Sequence, residues 1–222
     1  MNPTTGYVPT DLNRVNRHYE RGKYDKDVIF PIIDEALICH VGIVEGGQPL
    51  VIPMIHARVD DTLYLHGAVA SRLLKHLKLG PPVCITITLL DGIVLARSVF
   101  NHSLNYRSVA VFGHGRLVVD DGEKMRALEA ITQQIARGRW ADARKPDRKE
   151  MAATLVVAVG IETASAKVRS GPPVDDEEDL QYPTWAGVLP LRQQALAPID
   201  APHLPEHTPV PEYIAAYQRL ST

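Results

Sequence analysis

The sequence predicts a mainly β protein, a small barrel of six or seven antiparallel strands flanked by two or three helices. Short apolar runs that alternate with polar residues recur between residues 36 and 161, and this is the period of a strand. The turns between the first three runs are too short for the crossover connections that parallel strands need, so these strands must be antiparallel. Two longer stretches repeat their apolar residues with a helical period and end at a glycine.

The first part of the chain is predicted to form a short helix and three strands. A basic stretch over residues 14–24 precedes Asp25, which is suited to cap a helix that runs to about residue 35. Gly46 and Gly47 mark a hairpin turn, and an acidic turn follows the second strand. The strands predicted around these turns cover residues 36–44, 50–59 and 62–65.

A helix over residues 68–79 comes next, because three leucines share one of its faces and a glycine stands where its C-cap belongs. The following strand covers residues 83–89 and ends at an Asp91-Gly92 turn signal, after which residues 93–96 form a return strand. The remaining predicted elements are a strand over 109–119 that bends or bulges at Gly113 and Gly115, a helix over 120–137 and a last core strand over 154–161.

Composition and charge argue against several classes of protein. A net charge of −2, from 24 basic and 26 acidic residues, is not that of a dedicated nucleic-acid binder. The longest apolar runs, of about ten residues, are too short for a membrane span of roughly 20 residues, and the N-terminus has no apolar signal-peptide core. Cys39 and Cys84 form no CxxC, so we expect reduced core thiols in a cytoplasmic protein. The nine histidines form no HExxH or Cys/His cluster, and no metal site is predicted.

Prolines divide the chain, because nine of the seventeen fall within its last 52 residues. Proline lacks an N–H donor and fixes φ, so this part is expected to run extended over a surface, either the chain's own or a partner's. Apolar residues such as Trp185 favour order over residues 180–192, whereas residues 198–210 are expected to be disordered. The predicted organisation is an N-terminal basic and helical arm (1–35), a barrel domain (36–170) and a proline-rich C-terminal arm (171–222).

The first stretch with chemical potential joins a strand end to a helix start. His66 and Gly67 give a close turn, and Ser71 and Arg72 then fall in the first turn of the predicted helix. Free N–H groups, the positive end of the helix dipole and a guanidinium together suit a phosphate. The alternative is that Ser71 only caps the helix and Arg72 only faces solvent.

Two further stretches suit a polar or flat ligand. Residues 95–108 are dense in arginine, serine, asparagine and histidine between two apolar strands, and burying these groups without partners would be costly. Either a polar ligand at the strand ends satisfies them, or the stretch is a solvated loop. Pro53 interrupts a β-branched run, which predicts an edge strand or a bulge. An edge there either offers backbone groups to the rim of an aromatic ligand or is only structural.

Together these segments resemble the flavin-nucleotide-binding branch of the pyridoxamine 5′-phosphate oxidase-like proteins. The resemblance covers about residues 14–192 and rests on the order and spacing of its motifs rather than on any single one. The motifs are Pro49 to Pro53, Tyr64-Leu65-His66-Gly67, Ser71-Arg72, Ala96-Arg97-Ser98, Asn105-Tyr106-Arg107-Ser108, Lys167-Val168-Arg169 with Gly171-Pro172-Pro173, and Trp185-Ala186-Gly187-Val188-Leu189-Pro190.

The resemblance implies a split β-barrel that forms a homodimer, with flavin mononucleotide (FMN) in a groove at the subunit interface. Ser71 and Arg72 would hold the ribityl phosphate, and Arg97 or Arg107 would supply positive charge near the N1–C2 edge of the ring. Residues 105–108 would approach from either subunit. The implied cofactor contacts are Pro53, Met54, Ile55, His66, Gly67, Ser71, Arg72, Arg97, Ser98, Asn105, Tyr106, Arg107, Ser108 and Trp185.

The implied function is that of an FMN-dependent oxidoreductase, with hydride transfer at flavin N5 on a small substrate that the sequence does not identify. No side chain stands out as a catalytic acid or base. The C-terminus lacks the arginine-and-histidine signature of true pyridoxamine phosphate oxidases, which argues against oxidation of vitamin B6 phosphates, and Arg72 replaces a lysine common in other branches. The alternatives are a flavin-binding protein without turnover and a split barrel that binds haem or the deazaflavin F420. The available haem ligands would be His40, His56, His66, His102 and His114.

Overall fold

The computed structural model describes residues 6–217 of the 222-residue chain and contains nine strands and six α-helices in that range. The strands are β1 (Gly22–Lys23), β2 (Ile38–Glu45), β3 (Gln48–Val59), β4 (Thr62–Ala68), β5 (Pro82–Leu95), β6 (Ser103–Leu117), β7 (Thr154–Gly160), β8 (Thr163–Arg169) and β9 (Gly187–Pro190). The helices are α1 (Lys26–Glu35), α2 (Arg72–Leu77), α3 (Asp121–Ile135), α4 (Arg139–Asp142), α5 (Arg148–Ala153) and α6 (Glu212–Ala215).

Six of the strands close into a ring in the order β2–β5–β6–β7–β4–β3, with every pairing antiparallel. The predicted mainly β split barrel with flanking helices is therefore confirmed. Three strands lie outside the ring: β8 pairs with β6, β1 with β8, and β9 with β5. β6 has three neighbours, because its second edge pairs with β8 over residues 106–112 and with β7 over residues 115–117.

The interior of the ring is filled by every second residue of its strands, as the period-two pattern requires. Ile85 and Ile87 of β5 are both fully buried. α1 adds Ile29 and Ile33 to the same cluster, and α3 packs its Ala127 in a second, smaller cluster with residues of β7. The apolar stripes read from the sequence are the faces that the fold buries.

The predicted turn at Asp91-Gly92 is wrong. β5 continues through both residues and only shifts its register against β6 between Leu90 and Gly92. A Cβ at Gly92 would crowd the side chain of Val188 and the backbone of Leu189. This glycine therefore makes room for β9 instead of turning the chain.

β6 and β8 also differ from the prediction. Residues 103–108, interpreted as a loop or a ligand-lined strand end, belong to β6 itself, and β8 was not predicted. No register shift occurs at Gly113 or Gly115. A Cβ at Gly113 would collide with the carbonyl of Gly160, and one at Gly115 with the carbonyl of Leu77, so both glycines serve close backbone approach.

The C-terminal arm begins as ordered structure and then leaves the barrel. A short 3-10 turn (Glu177–Gln181) and β9 lie within residues 171–190. Residues 191–210 contain no helix or strand, and turns occur only at residues 202–203 and 206–207. α6 then returns to the body, where Tyr213 donates to Asp142 Oδ2 at 2.6 Å.

Candidate functional site

The corner between β4 and α2 holds the residues predicted to bind phosphate. Ser71 caps α2, because its Oγ accepts a hydrogen bond from the N–H of Leu74 at 3.4 Å. α2 is shorter than the predicted helix over 68–79, since Ala68 still belongs to β4. The Arg72 side chain is 67% exposed and pairs through Nε with Oε2 of Glu45, at the end of β2. Arg72 thus reaches solvent, with its charge balanced by a carboxylate.

His66 lies on the outer face of β4, because the alternate residues Leu63 and Leu65 are fully buried in the barrel. Its Nδ1 is buried and has no hydrogen-bond partner among residues 6–217. Burial lowers the pKa of this imidazole, so the ring is neutral at pH 7. A buried ring nitrogen without a partner is costly unless a ligand satisfies it.

β3 places Pro53, Met54 and Ile55 beside this corner. β3 pairs with β2 over residues 48–55, but it pairs with β4 only over residues 56–59. At Pro53, β3 is therefore paired with a neighbouring strand on one side only. The register with β2 is unbroken, and Pro53 therefore sits on an edge-like stretch and not in a bulge.

An uncharged face of the sheet lies open to solvent next to these residues. Val44 and Val51, on β2 and β3, are 63% and 62% exposed. His40, also exposed, is in register with Pro53 on one side and Thr86 of β5 on the other. We call the outward-facing residues of β2, β3 and β5 the open face. Among these outward-facing residues, which lie between Ile38 and Leu90, none is Asp, Glu, Lys or Arg.

Arg97 holds the start of the C-terminal arm. Its backbone N–H donates to Oδ1 of Asp175 at 2.7 Å, and its Nη1 donates to Oδ2 at 2.6 Å. The Asp175 side chain is only 5% exposed, and its pKa lies below the usual value because the Arg97 backbone and side chain donate to the charged form. Asn101 donates to Asp176 at 3.2 Å. The arm is thus fastened through a charge-assisted pair.

Asn105 and Arg169 form a second attachment of the arm. Both residues are 8% exposed, and Nη1 of Arg169 donates to Oδ1 of Asn105. Nδ2 of Asn105 donates to the carbonyl of Gly171 at 3.1 Å, and Nη2 of Arg169 donates to the carbonyl of Pro172 at 3.2 Å. Tyr106 stands opposite Arg169 in the β6–β8 register.

Arg107 bridges two carboxylates from different elements. It donates to Asp91 from Nε at 3.0 Å and Nη2 at 2.8 Å, and to Glu35 from Nη1 at 2.5 Å and Nη2 at 2.9 Å. The hydrogen bonds to Asp91 and Glu35 raise the pKa of Arg107. Residues 103–108 are therefore strand residues and not a solvated loop, whereas residues 96–102 connect β5 to β6, and the buried Nε of Arg97 has no hydrogen-bond partner among residues 6–217. A role for Arg97 or Arg107 at a cofactor stays a prediction, and either guanidinium would act there while paired with a carboxylate.

The other predicted contacts are Ser98, Ser108 and Trp185. Ser98 caps a 3-10 turn (Val99–Asn101) by accepting from a backbone N–H at 3.3 Å. Ser108 donates to a carbonyl of β8 at 3.3 Å. Trp185 is 64% exposed, with its ring against Gly187 at the start of β9.

Within one chain the predicted residues form two clusters rather than one site. Two strands stand between β3 and β6 in either direction around the ring, so the two groups lie on opposite sides of it. The corner cluster contains Pro53, Met54, Ile55, His66, Gly67, Ser71 and Arg72. The arm cluster contains Arg97, Ser98, Asn105, Tyr106, Arg107, Ser108 and Trp185.

The acidic partners of these arginines were missed by the sequence analysis. Asp175 is 78 residues from Arg97, and Glu35 is 72 residues from Arg107, so no local pattern joins them. Charge balance was the available signal, because an arginine in an apolar setting requires an acid nearby.

No group of three or more potential metal-binding side chains occurs among residues 6–217. No helix in this range is long and apolar enough to cross a bilayer. Cys39 and Cys84 are both free thiols, as expected, and burial raises the pKa of Cys39 to about 12.

Comparison with known families and structures gives a consistent result. Residues 25–168 match the family model described as pyridoxamine 5′-phosphate oxidase. The flavocytochrome Anf3 from Azotobacter vinelandii is 39% identical, with a TM-score of 0.89, over 96% of this chain and 99% of that one. The FAD and haem binding protein from Mycobacterium smegmatis is 36% identical, with a TM-score of 0.84, over 88% of this chain and 96% of that one. No curated protein matches the sequence.

Proposed function

This chain belongs to the pyridoxamine 5′-phosphate oxidase family, and from that premise we propose that it is a flavin-binding redox protein that works as a homodimer. The flavin nucleotide would be FMN, as the sequence motifs imply, or FAD, which contains the same ring and ribityl phosphate. The similarity to a flavocytochrome and to an FAD and haem binding protein over nearly the whole chain supports a flavin ligand.

One observation in the corner cluster carries the proposal: an exposed guanidinium stands close in sequence to a buried imidazole nitrogen without a partner. Arg72 offers charge-assisted hydrogen bonds to a phosphate. The edge-like stretch at Pro53 and the Nδ1 of His66 offer polar groups to the rim of a ring system. A bound flavin would supply the electron or hydride transfer, and the chain's own residues would bind and orient it.

Glu45 sets a condition on phosphate binding. Its carboxylate already accepts from Arg72, so a phosphate would have to replace or share that partner. Glu45→Gln should therefore tighten flavin binding, because the Arg72 guanidinium then has no anionic competitor.

The open face supports the homodimer. An uncharged, partly apolar strand surface in a chain with 23% charged residues is typical of the core of an interface. A second copy covering it would also let the arm cluster of one subunit approach the corner cluster of the other, since a single chain places the two clusters on opposite sides of the ring.

The test of flavin binding is a titration of the apo-protein with FMN and with FAD, followed by flavin fluorescence. Arg72→Ala should weaken binding about tenfold or more, if its phosphate contact contributes about 2 kcal/mol. Arg116→Ala, which also removes an exposed arginine paired with a glutamate, is the matched control and should leave binding unchanged. Equal affinities of the two variants would remove Arg72 from the site, and a protein that takes up neither flavin would overturn the proposal.

We propose oxidoreductase activity, with hydride transfer on a small substrate, over a carrier without turnover. Stopped-flow mixing of the flavin-loaded protein with NADH or NADPH, then with an acceptor, tests this. Reduction and reoxidation of the flavin within seconds support turnover. If the flavin is reduced neither by NADH or NADPH nor by mediators of matched potential that dithionite has reduced, only the binding function is supported.

Haem is a second candidate ligand, favoured by the two similar structures. The histidines differ in their fitness as ligands. His56 is fully buried and bonded through Nε2 to the carbonyl of Ile33. Nδ1 of His102 accepts from a backbone N–H, so the neutral ring carries its proton on Nε2. A metal would bind at Nε2, and this proton disfavours His102 as a ligand.

His40 fits best, because it is exposed at the centre of the open face, where a flat apolar ring could lie in place of a second copy's residues. Its side chain has no hydrogen-bond or ion-pair partner in the part of the chain that the structure describes. Haemin titration followed by the Soret band tests this: His40→Ala should abolish the spectrum of a histidine-ligated haem, while His114→Ala should leave it intact. Loss of the band only in His66→Ala would move the ligand to the corner cluster, and the absence of any band in the wild type would exclude haem.

A further inference from the structure

Residues 192–210 form a segment whose backbone and polar side chains make no hydrogen bond or ion pair to the rest of residues 6–217. Every residue in it is exposed. Its hydrogen bonds are local, such as the N–H of Leu204 to the carbonyl of Ala201. No hydrogen bond or ion pair joins it to any other part of residues 6–217. We call residues 192–210 the free segment.

Residues on both sides of the free segment are fastened to the body, and side-chain hydrogen bonds link the two anchor regions. On one side, the N–H of Leu191 donates to the backbone carbonyl of Asp91. Arg107 donates to the side chain of Asp91 and also to Glu35, at the end of α1. On the other side, Tyr217 donates to the carbonyl of Ile135 in α3. The neighbouring Gln134 donates to the carbonyls of residues 34 and 36, on either side of Glu35.

The free segment places nineteen residues between these two linked anchor regions. Fully extended, they would cover about 60 Å. Four prolines within them, at positions 198, 202, 205 and 209, favour an extended conformation that needs no hydrogen bonds of its own. The free segment is therefore long enough to reach beyond the body of its own chain.

Two apolar side chains of the free segment are almost wholly exposed, whereas Leu204 and Val210 are 41% and 39% exposed. Leu196 is 85% exposed and Ile199 is 96% exposed. Disordered linkers are usually depleted in such residues. The fixed ends, the proline content and the two aliphatic side chains together suit a segment that lies on another surface.

We infer that the free segment is an exchange arm that lies on the open face of a second copy of this chain. The open face and the free segment match in chemistry: the first has no charged side chain, and the second has only Arg192, Asp200 and Glu206 among its nineteen residues. The arm also departs beside β5, a strand of the open face. In a twofold dimer each copy would give its arm and receive its partner's, with Leu196 and Ile199 as the buried anchors. This inference rests on the proposed homodimer.

Two experiments on the full chain test it. In the first, the dimer dissociation constant is measured by light scattering over a dilution series. The double variant Leu196→Asp with Ile199→Asp should weaken the dimer about tenfold or more, because two apolar anchors become charged. The matched control is Val119→Asp, since Val119 is 78% exposed before α3, outside the open face and the free segment, and should change the constant less than about twofold.

In the second, a photo-crosslinking residue replaces Ile199, and an equal mixture of isotopically heavy and light chains is irradiated. Heavy-to-light crosslinks from position 199 to peptides of β2, β3 or β5 are expected. Crosslinks within one chain only, or a dimer that the double variant leaves intact, would overturn the arm inference alone. A wild-type chain that is monomeric throughout the dilution series would instead overturn the proposed homodimer, and with it the exchange arm.

Discussion

The two halves of the C-terminal arm share a composition rich in proline but differ in how they are held. Residues 171–190 are fastened to the barrel by Asp175, by the Asn105–Arg169 pair and by β9. Residues 192–210 have no such partner among the described residues. Proline content alone therefore does not decide whether a segment is ordered. What decides it here is whether buried polar groups of the barrel need the segment to satisfy them.

The first half supplies partners that the barrel cannot find elsewhere. Arg97 and Arg169 carry charges into partly buried positions, and Asp175 and the carbonyl of Pro172 come from the arm to meet them. Leaving either guanidinium unpaired would cost free energy. The barrel therefore stabilises the bound position of this half of the arm. The second half has no hydrogen bond or ion pair to the barrel among the described residues, and its most exposed apolar side chains, Leu196 and Ile199, are aliphatic.

The largest expected effect is that of Arg107→Ala, which should lower the free energy of unfolding by about 3 kcal/mol. The variant leaves the carboxylates of Glu35 and Asp91 without their shared cation, and Asp91 is also the anchor of Leu191. Urea unfolding measures the change. Arg116→Ala, whose pair with Glu123 is exposed, should cost less than about 1 kcal/mol. Equal costs for both variants would show that the Arg107 bridge is not special.

The next effect should be confined to the first half of the arm. Asp175→Ala removes the acceptor of Arg97, so cleavage by a protease within residues 171–190 should become about tenfold faster or more, as local opening becomes easier. Glu177→Ala, an exposed acid two residues along, is the control and should not alter the rate. Unchanged protection in Asp175→Ala would mean that β9 alone holds the arm.

The same attachment should respond to pH in one direction only. The pKa of Asp175 in the folded chain lies below its unfolded value of about 4. Its contribution to stability is therefore fully present above about pH 4 and is lost as pH falls through the lower folded pKa. Hydrogen exchange of residues 171–190 should be equally protected, after correction for intrinsic rates, from pH 8 to pH 5. A loss of protection already at pH 6 would assign the attachment to another group.

The smallest effect is expected in the second half. Replacing residues 196–204 by a glycine-serine stretch of equal length removes no hydrogen bond or ion pair to the rest of residues 6–217. The free energy of unfolding, measured on diluted monomer, should stay within about 0.5 kcal/mol of the wild-type value. A larger loss would show that the free segment packs on its own barrel.

The elements that the sequence predicted well are those governed by local pattern. The β2–β3 hairpin follows from its apolar periods and the glycine pair at 46 and 47, and α3 follows from its acidic start and apolar stripe. The helix cap at Ser71 was also predictable, because a cap needs only the next three residues.

The parts that could not be predicted depend on distant partners. Asp91 and Gly92 have the composition of a turn, but Arg107 and β9 hold them within a continuous strand. β8 escaped prediction because its sequence is rich in small and polar residues, and only its pairing with β6 and β1 makes it a strand. In the candidate site, the acidic partners of the motif arginines could not be predicted, because they lie far away along the chain, and the role of the motif residues at a cofactor stays a prediction.

The closure of the ring has a consequence for how the chain acquires its fold. β4 completes the ring by pairing with β7, which brings Thr62 opposite Gly160, almost a hundred residues later. Contacts of such long range are slow to form, and proteins dominated by them fold in milliseconds to seconds. While the ribosome is still making residues 70–150, β4 has no partner on that side. We expect this nascent intermediate to expose an unpaired apolar edge, and to be the stage at which a chaperone or a second nascent chain competes with correct folding.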